Sequence, residues 1–123
     1  KNFETLQKLT AKMAEDIEFK NGRFDPTRRL LFYKSKGASK MSEVAKLAPK
    51  QAGVFEILAA NYGNVVRKEI ILEKVWHESN YFVGRSLDVY VTHLRNILKE
   101  HNLPMAITNV TNVGLMLNDI VKK

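Results

Sequence analysis

Cysteine is absent from the 123 residues, which excludes a disulfide framework and any thiolate metal site. Proline (three) and glycine (six) are sparse, and neither a low-complexity tract nor an internal repeat is present. No apolar run approaches the roughly 20 residues that a membrane-crossing helix needs; even Val54–Ala60 is short and contains Glu56. No apolar leader stands near Lys1, so a cytoplasmic rather than secreted protein is expected. Catalytic signatures are equally scarce: there is no Gly-x-Gly run, nucleophile elbow or Cys nucleophile. Glu15 and Asp16 are adjacent and so face different ways, and His77, His93 and His101 lack acidic partners at metal-ligand spacing. Gly37-Ala38-Ser39-Lys40 lies in a basic loop without the spacing of a P-loop. No enzyme, cofactor or metal is expected.

What is present suits one domain plus a short appendage. Hydrophobic residues make up 45% and charged residues 27%, a mixture typical of globular folds. Lys and Arg number 20 against 13 Asp and Glu, a net charge of +7. That balance favours an anionic partner, whether nucleic acid, acidic protein or membrane surface. The chain begins at Lys1 rather than Met, and a piece of a longer protein is expected.

Phe3, Leu6, Leu9 and Met13 have helical spacing, which predicts a linker helix within residues 1–16. From Ile17 the pattern turns to strands: Ile17 and Phe19 alternate with charges, Asn21-Gly22 signals a two-residue hairpin, and Asp25-Pro26-Thr27 a turn. Arg29–Lys34 and Glu43–Leu47 read as two further strands. Pro49 suits a first helical position, Phe55, Leu58, Ala59 and Tyr62 share one helical face, and Gly63 suits the C′ stop. A second helix over about Lys68–Trp76 buries Ile71, Leu72 and Val75, after a connection through Asn61–Arg67.

The third helix is expected over Gly84–His101. Leu87, Val91, Leu94 and Leu98 form a narrow seam. The opposite side carries Arg85, Val89, Thr92, His93 and Asn96, flanked by Ser86 and Tyr90. That side is rich in hydrogen-bonding groups yet carries one full charge, unlike an ordinary solvated face. Two short strands, Ile107–Val110 and Leu115–Asn118, then form a hairpin through Thr111-Asn112-Val113-Gly114, with Asn112 and Gly114 as turn formers.

Three helices followed by a hairpin make a winged helix-turn-helix, and the motifs are specific. Leu47-Ala48-Pro49-Lys50-Gln51 resembles the Leu-Thr-Pro-Lys-Glu that opens the first helix of OmpR/PhoB-type response-regulator effector domains. Asn64–Trp76 is similar to that family's second-helix segment. Arg85-Ser86-Leu87-Asp88-Val89-Tyr90-Val91-Thr92-His93-Leu94-Arg95 resembles its recognition helix, and Asn109–Leu115 its wing. Asn80-Tyr81-Phe82 before the helix looks most like versions from the Bacteroidetes lineage. The resemblance implies an α+β fold over residues 17–120: an N-terminal four-stranded antiparallel sheet, three helices and a C-terminal β-hairpin wing. It also implies a receiver domain ahead of residues 1–16, absent from this chain, on which a sensor kinase acts in a two-component phosphorelay.

By the same resemblance the partner is double-stranded DNA, read as tandem half-sites to control transcription by a monomer that dimerises on DNA. Base reading falls to Ser86, Val89, Tyr90 and His93, with Asn96 on the same face. Phosphate contact falls to Arg85, Thr92, Lys99, Arg67, Lys68 and the wing residues Thr111 and Asn112. Arg95 is expected to steady the helix, paired with Asp88 or a phosphate. Glu78, Ser79 and Asn80, in a loop running to Val83, are candidate contacts to RNA polymerase. No membrane contact is implied.

The chain departs from the family where two arginines often precede the Leu-Arg pair; here they are Thr92 and His93. Thr111 replaces the wing arginine, Asn112 its glycine and Leu115 its tyrosine, and Ala48 stands at the helix N-cap in place of threonine. These changes predict weaker, more salt-sensitive DNA binding. They also define an alternative: a winged-helix protein-interaction module with weakened or lost DNA binding.

Overall fold

The computed structural model describes residues 16–19, 22–34, 37–78 and 80–120; the linker helix expected within residues 1–16 lies outside them, save Asp16. The first four strands, β1 (Ile17–Phe19), β2 (Gly22–Asp25), β3 (Leu30–Tyr33) and β4 (Ser42–Lys46), pair antiparallel in sequence order. Gly22 is not a loop residue: it pairs with Phe19 in the β1–β2 ladder. A β-carbon on Gly22 would sit 2.8 Å from the Phe19 ring, so glycine admits that ring to the core.

The Asp25 carboxylate makes the next turn. It accepts the Thr27 and Arg28 backbone N–H groups at 3.0 and 3.2 Å and the Arg28 guanidinium at 2.7 Å. The Arg28 bond, above all, holds the carboxyl below its ordinary pKa. Arg29 ends that turn with φ of 59° rather than opening the strand, and its carbonyl accepts the Leu47 N–H at 2.8 Å.

Helix α1 (Pro49–Ala60) has Pro49 in its first turn, as expected. Ala48 offers no side-chain cap, but Gln51 Oε1 accepts the Ala48 N–H at 3.0 Å, retaining half of a capping box. This helix lies between the N-terminal sheet and the other helices and is apolar nearly all round. Phe55 meets Phe19 and Phe24 edge-on with ring centroids 5.6 and 5.3 Å apart. Asn61, not Gly63, caps it. Gly63, at φ of 85°, donates its N–H to Leu117 O and so ties the helix exit to the C-terminal sheet.

The connection Asn61–Arg67 contains a strand that the sequence pattern did not announce, β5 (Val66–Arg67). Helices α2 (Lys68–Trp76) and α3 (Tyr81–Glu100) follow, then β6 (Met105–Val110) and β7 (Gly114–Asp119). The hairpin is longer at both outer ends than expected and is joined by β5 into a three-stranded sheet ordered β5-β7-β6. Gly114 is a strand residue, paired with both Val110 and Arg67. Only Asn112 takes the left-handed turn conformation, at φ of 62°. Asparagine is the commonest substitute for glycine in that conformation, so the family's wing glycine is replaced without breaking the turn.

Tyr62 clamps the two sheets together. Its ring stacks on Phe19, and its hydroxyl donates to Asp119 Oδ1 at 2.5 Å. Burial, and then the Asp119 bond, raise the phenol pKa well above its ordinary value near 10. A raised phenol pKa means that the native state holds the proton more tightly than the unfolded chain does. This stabilisation is therefore complete below about pH 10 and is lost as the pH climbs towards the folded value. Urea midpoints measured from pH 9 to 12 are expected to fall further for the native chain than for Tyr62→Phe. Parallel declines would show that the bond carries no pH-dependent stability.

Candidate nucleic-acid interface

Helix α3 begins three residues earlier than the apolar seam suggested. Asn80 is the reason: its Oδ1 accepts the Phe82 and Val83 N–H groups at 2.9 and 3.1 Å. Its amide donates to Glu78 Oε1 at 3.1 Å. Such an N-cap is worth about 1 kcal/mol. The loop expected to reach Val83 therefore ends at Asn80, whose side chain is engaged in capping, while Ser79 lies outside the described residues.

The seam itself is buried as expected, with Leu87, Val91, Leu94 and Leu98 each no more than 3% exposed. Removing Leu87 or Leu94 would cost about 2–5 kcal/mol each, so the rotation of α3 about its axis is set firmly. The opposite side is correspondingly open. Arg85, Val89, Thr92, His93 and Asn96 are exposed and Ser86 is half-buried beside them. Arg85, Ser86, Asp88, Val89 and Thr92 line one shallow concavity on this side.

Three side chains have local partners that narrow their roles. The Thr92 hydroxyl donates to the Asp88 carbonyl at 2.9 Å, which turns its proton back onto its own helix in this conformation. Tyr90 is half-buried, its ring 5.7 Å from Trp76, and it packs on the domain rather than projecting freely towards bases. His93 Nδ1 lies 3.4 Å from Gln51 Nε2. Because Gln51 Oε1 already accepts the Ala48 N–H, its amide nitrogen faces the histidine as a donor. Nδ1 then accepts, and in the neutral ring Nε2 carries the proton. The imidazole is thereby set to donate from Nε2.

Arg95 does steady the helix, but through neither expected partner: Nε donates to Ile107 O at 3.0 Å and pins α3 to the wing strand. Asp88 instead lies 4.0 Å from Lys68 Nζ. That exposed pair adds little stability, yet it places the start of α2 beside α3. Lys68 also lines a second concavity with Thr111 and Asn112 at the wing tip. Arg67 is exposed next to Glu69, at 3.8 Å. As N-cap of α2 it supplies no side-chain hydrogen bond, leaving that helix's first-turn N–H groups without a side-chain acceptor. The wing tip, the start of α2 and the outer side of α3 thus form one continuous surface. Among the described residues no cluster of His, Asp and Glu is suited to a metal, and no helix is long and apolar enough to cross a membrane.

Residues 42–117 match the family described as transcriptional regulatory protein, C terminal. The chain belongs to that family. It is an OmpR/PhoB-type family of transcription regulators, not an enzyme family. The transcriptional regulatory protein RprY of Bacteroides fragilis is 33% identical over 72 residues, covering 58% of this chain and 30% of RprY. The matched stretch thus spans about a third of that relative's length, and its lineage agrees with the Bacteroidetes-like Asn80-Tyr81-Phe82 signature. The DNA-binding domain of the response regulator AdeR, solved in complex with an intercistronic region, superposes with a TM-score of 0.68. It is 17% identical and covers 84% of this chain and 99% of that one. The C-terminal domain of the nisin resistance regulator NsrR superposes at 0.64 with 26% identity, covering 84% of this chain and 97% of its own.

Within this regulatory domain, sequence reasoning missed Gln51, which orients His93 from 42 residues away, and the role of Asn80. The signal for Asn80 was legible, since Asn is a preferred N-cap. No local signal marked Gln51 as a partner of His93.

Proposed function

We propose that this domain is the effector part of a two-component response regulator and binds double-stranded DNA with the outer side of α3 in the major groove. The observation that carries the reading is the orientation of α3: its seam is sealed in the core and its polar side is open. A major groove admits one helix and presents acceptors, donors and thymine methyls to it. His93 Nε2 donates to a guanine acceptor, Val89 meets a thymine methyl, and Ser86 and Asn96 add adaptable hydrogen bonds. Arg85, Arg67, Lys68 and the uncapped α2 N-terminus hold phosphates, and Thr111 and Asn112 bring the wing against the backbone.

AdeR, whose domain was solved with DNA, supports this reading over a module that has lost DNA binding. The wing lacks its arginine, so fewer phosphates are neutralised. Salt dependence follows the number of neutralised phosphates, so the loss makes binding weaker with a shallower salt slope, not a steeper one. Glu78 remains the candidate contact to RNA polymerase. Assembly on tandem half-sites and control by a kinase acting on a separate receiver domain complete the proposal.

Selecting bound duplexes from a random pool, then titrating the best site at several salt concentrations, tests the reading. Sequence-selective binding with a negative salt slope is expected. His93→Ala is expected to reduce discrimination between selected and random duplexes about tenfold, with nonspecific affinity nearly unchanged. Equal loss on every sequence would remove His93 from base reading, and absence of duplex binding even at low salt would overturn the function.

A further inference from the structure

Phe82 is the most exposed large apolar side chain among the described residues, at 78%. Its position is not loose. Asn80 receives its backbone N–H, which fixes Phe82 in the first turn of α3. At 100° per residue it lies about 20° from both Val89 and His93, about 40° from Ser86, and about 150° from the centre of the Leu87–Leu98 seam. The early start of α3 thus adds a whole turn to the open side and puts a phenyl ring at its leading end. Val89, 53% exposed, stands seven residues further along the same line.

We propose that Phe82 is a specificity-determining residue that reads a thymine methyl in the major groove, one turn beyond the bases met by Ser86 and Val89. The inference rests on the seating of α3 proposed above. A phenyl ring offers no hydrogen bond to a base edge, and the apolar feature in the major groove is the thymine C5-methyl. The N-terminal turns of a recognition helix are those that reach base edges. Seven residues rise about 10.5 Å along the helix, about three base-pair steps of ~3.4 Å. Phe82 and Val89 therefore select two thymines no more than about three steps apart, fewer as the helix inclines to the duplex axis.

Uracil substitution tests this directly, because uracil differs from thymine only by that methyl. With the whole 123-residue chain and its best selected duplex, each thymine is replaced in turn by uracil. Two sensitive positions no more than about three steps apart are expected, each costing about fourfold in affinity, the worth of one buried methyl. Phe82→Ala should abolish the penalty at one position and Val89→Ala at the other, while Phe82→Leu retains part of the first. The salt slope should stay constant throughout, and melting curves should confirm that the variants fold. If Phe82→Ala binds DNA with every uracil penalty intact, the proposal fails while the seating of α3 survives. It fails in the same way if the substitution instead impairs only an RNA polymerase response. If the native chain binds no duplex, both fail together.

Discussion

Replacing Gly114 with alanine is expected to destabilise the domain by about 3 kcal/mol, the upper end of the ordinary range for overpacking. A β-carbon there would overlap the Val66 carbonyl oxygen and lie 2.8 Å from Arg67 Cα. Both are backbone atoms, so no side chain can rotate away to make room. Relief requires β5 to separate from β7, breaking the Val66↔Leu115 and Arg67↔Gly114 pairing. Because Arg67 lies in β5 and Lys68 follows it, duplex affinity should fall along with stability. Urea denaturation of Gly114→Ala beside Gly84→Ala provides the comparison. A β-carbon at Gly84 meets nothing within 4 Å, and alanine in a helix is about 1 kcal/mol better than glycine. Gly84→Ala should therefore be neutral or stabilising. A Gly114→Ala midpoint close to native would show that the β5–β7 contact yields easily.

The second large effect concerns charge. Substituting Arg67, Lys68 and Arg85 together by alanine should lower duplex affinity about a hundredfold near 0.15 M salt and make the slope of log K against log salt shallower by about 2.7. Both follow from the release of about 0.9 counterions per phosphate contact. The informative control is Lys34, Lys40 and Lys46. These are exposed on or beside the N-terminal sheet, and residues 1–48 hold a net +5 of the +7. If position rather than total charge matters, removing them leaves the slope nearly unchanged. Equal slopes for the two triple variants would mean that the protein attracts DNA as a diffuse cation and that the α3 surface has no special part.

Much of this surface was legible because it repeats with the helix. The spacing of Leu87, Val91, Leu94 and Leu98 sets which side of α3 is buried, and everything opposite follows from 100° per residue. Elements that announce themselves by periodicity or by capping chemistry, such as α1 behind Pro49 and α2 up to Trp76, stand within a residue or two of where the pattern put them. Failures came where the deciding interaction is brief or distant. Strand β5 has two residues and no period to detect. Gly114 looked like a turn glycine because glycine's two uses, positive φ and close approach, are indistinguishable in a sequence. Arg95 was assigned a helical neighbour when its partner is the Ile107 carbonyl, 12 residues on.

The sequence by itself determined the secondary elements other than β5, the family, and the side of α3 that faces outward, since local propensity and apolar spacing are properties of neighbouring residues. Tertiary structure alone decided that Arg95 reaches the Ile107 carbonyl, that Tyr90 leans on Trp76 and that Gln51 sets the donating nitrogen of His93. It also decided that β5 joins the wing to the start of α2. Hydrogen bonds and ring contacts depend on distances between residues far apart in the chain, and no periodicity encodes those.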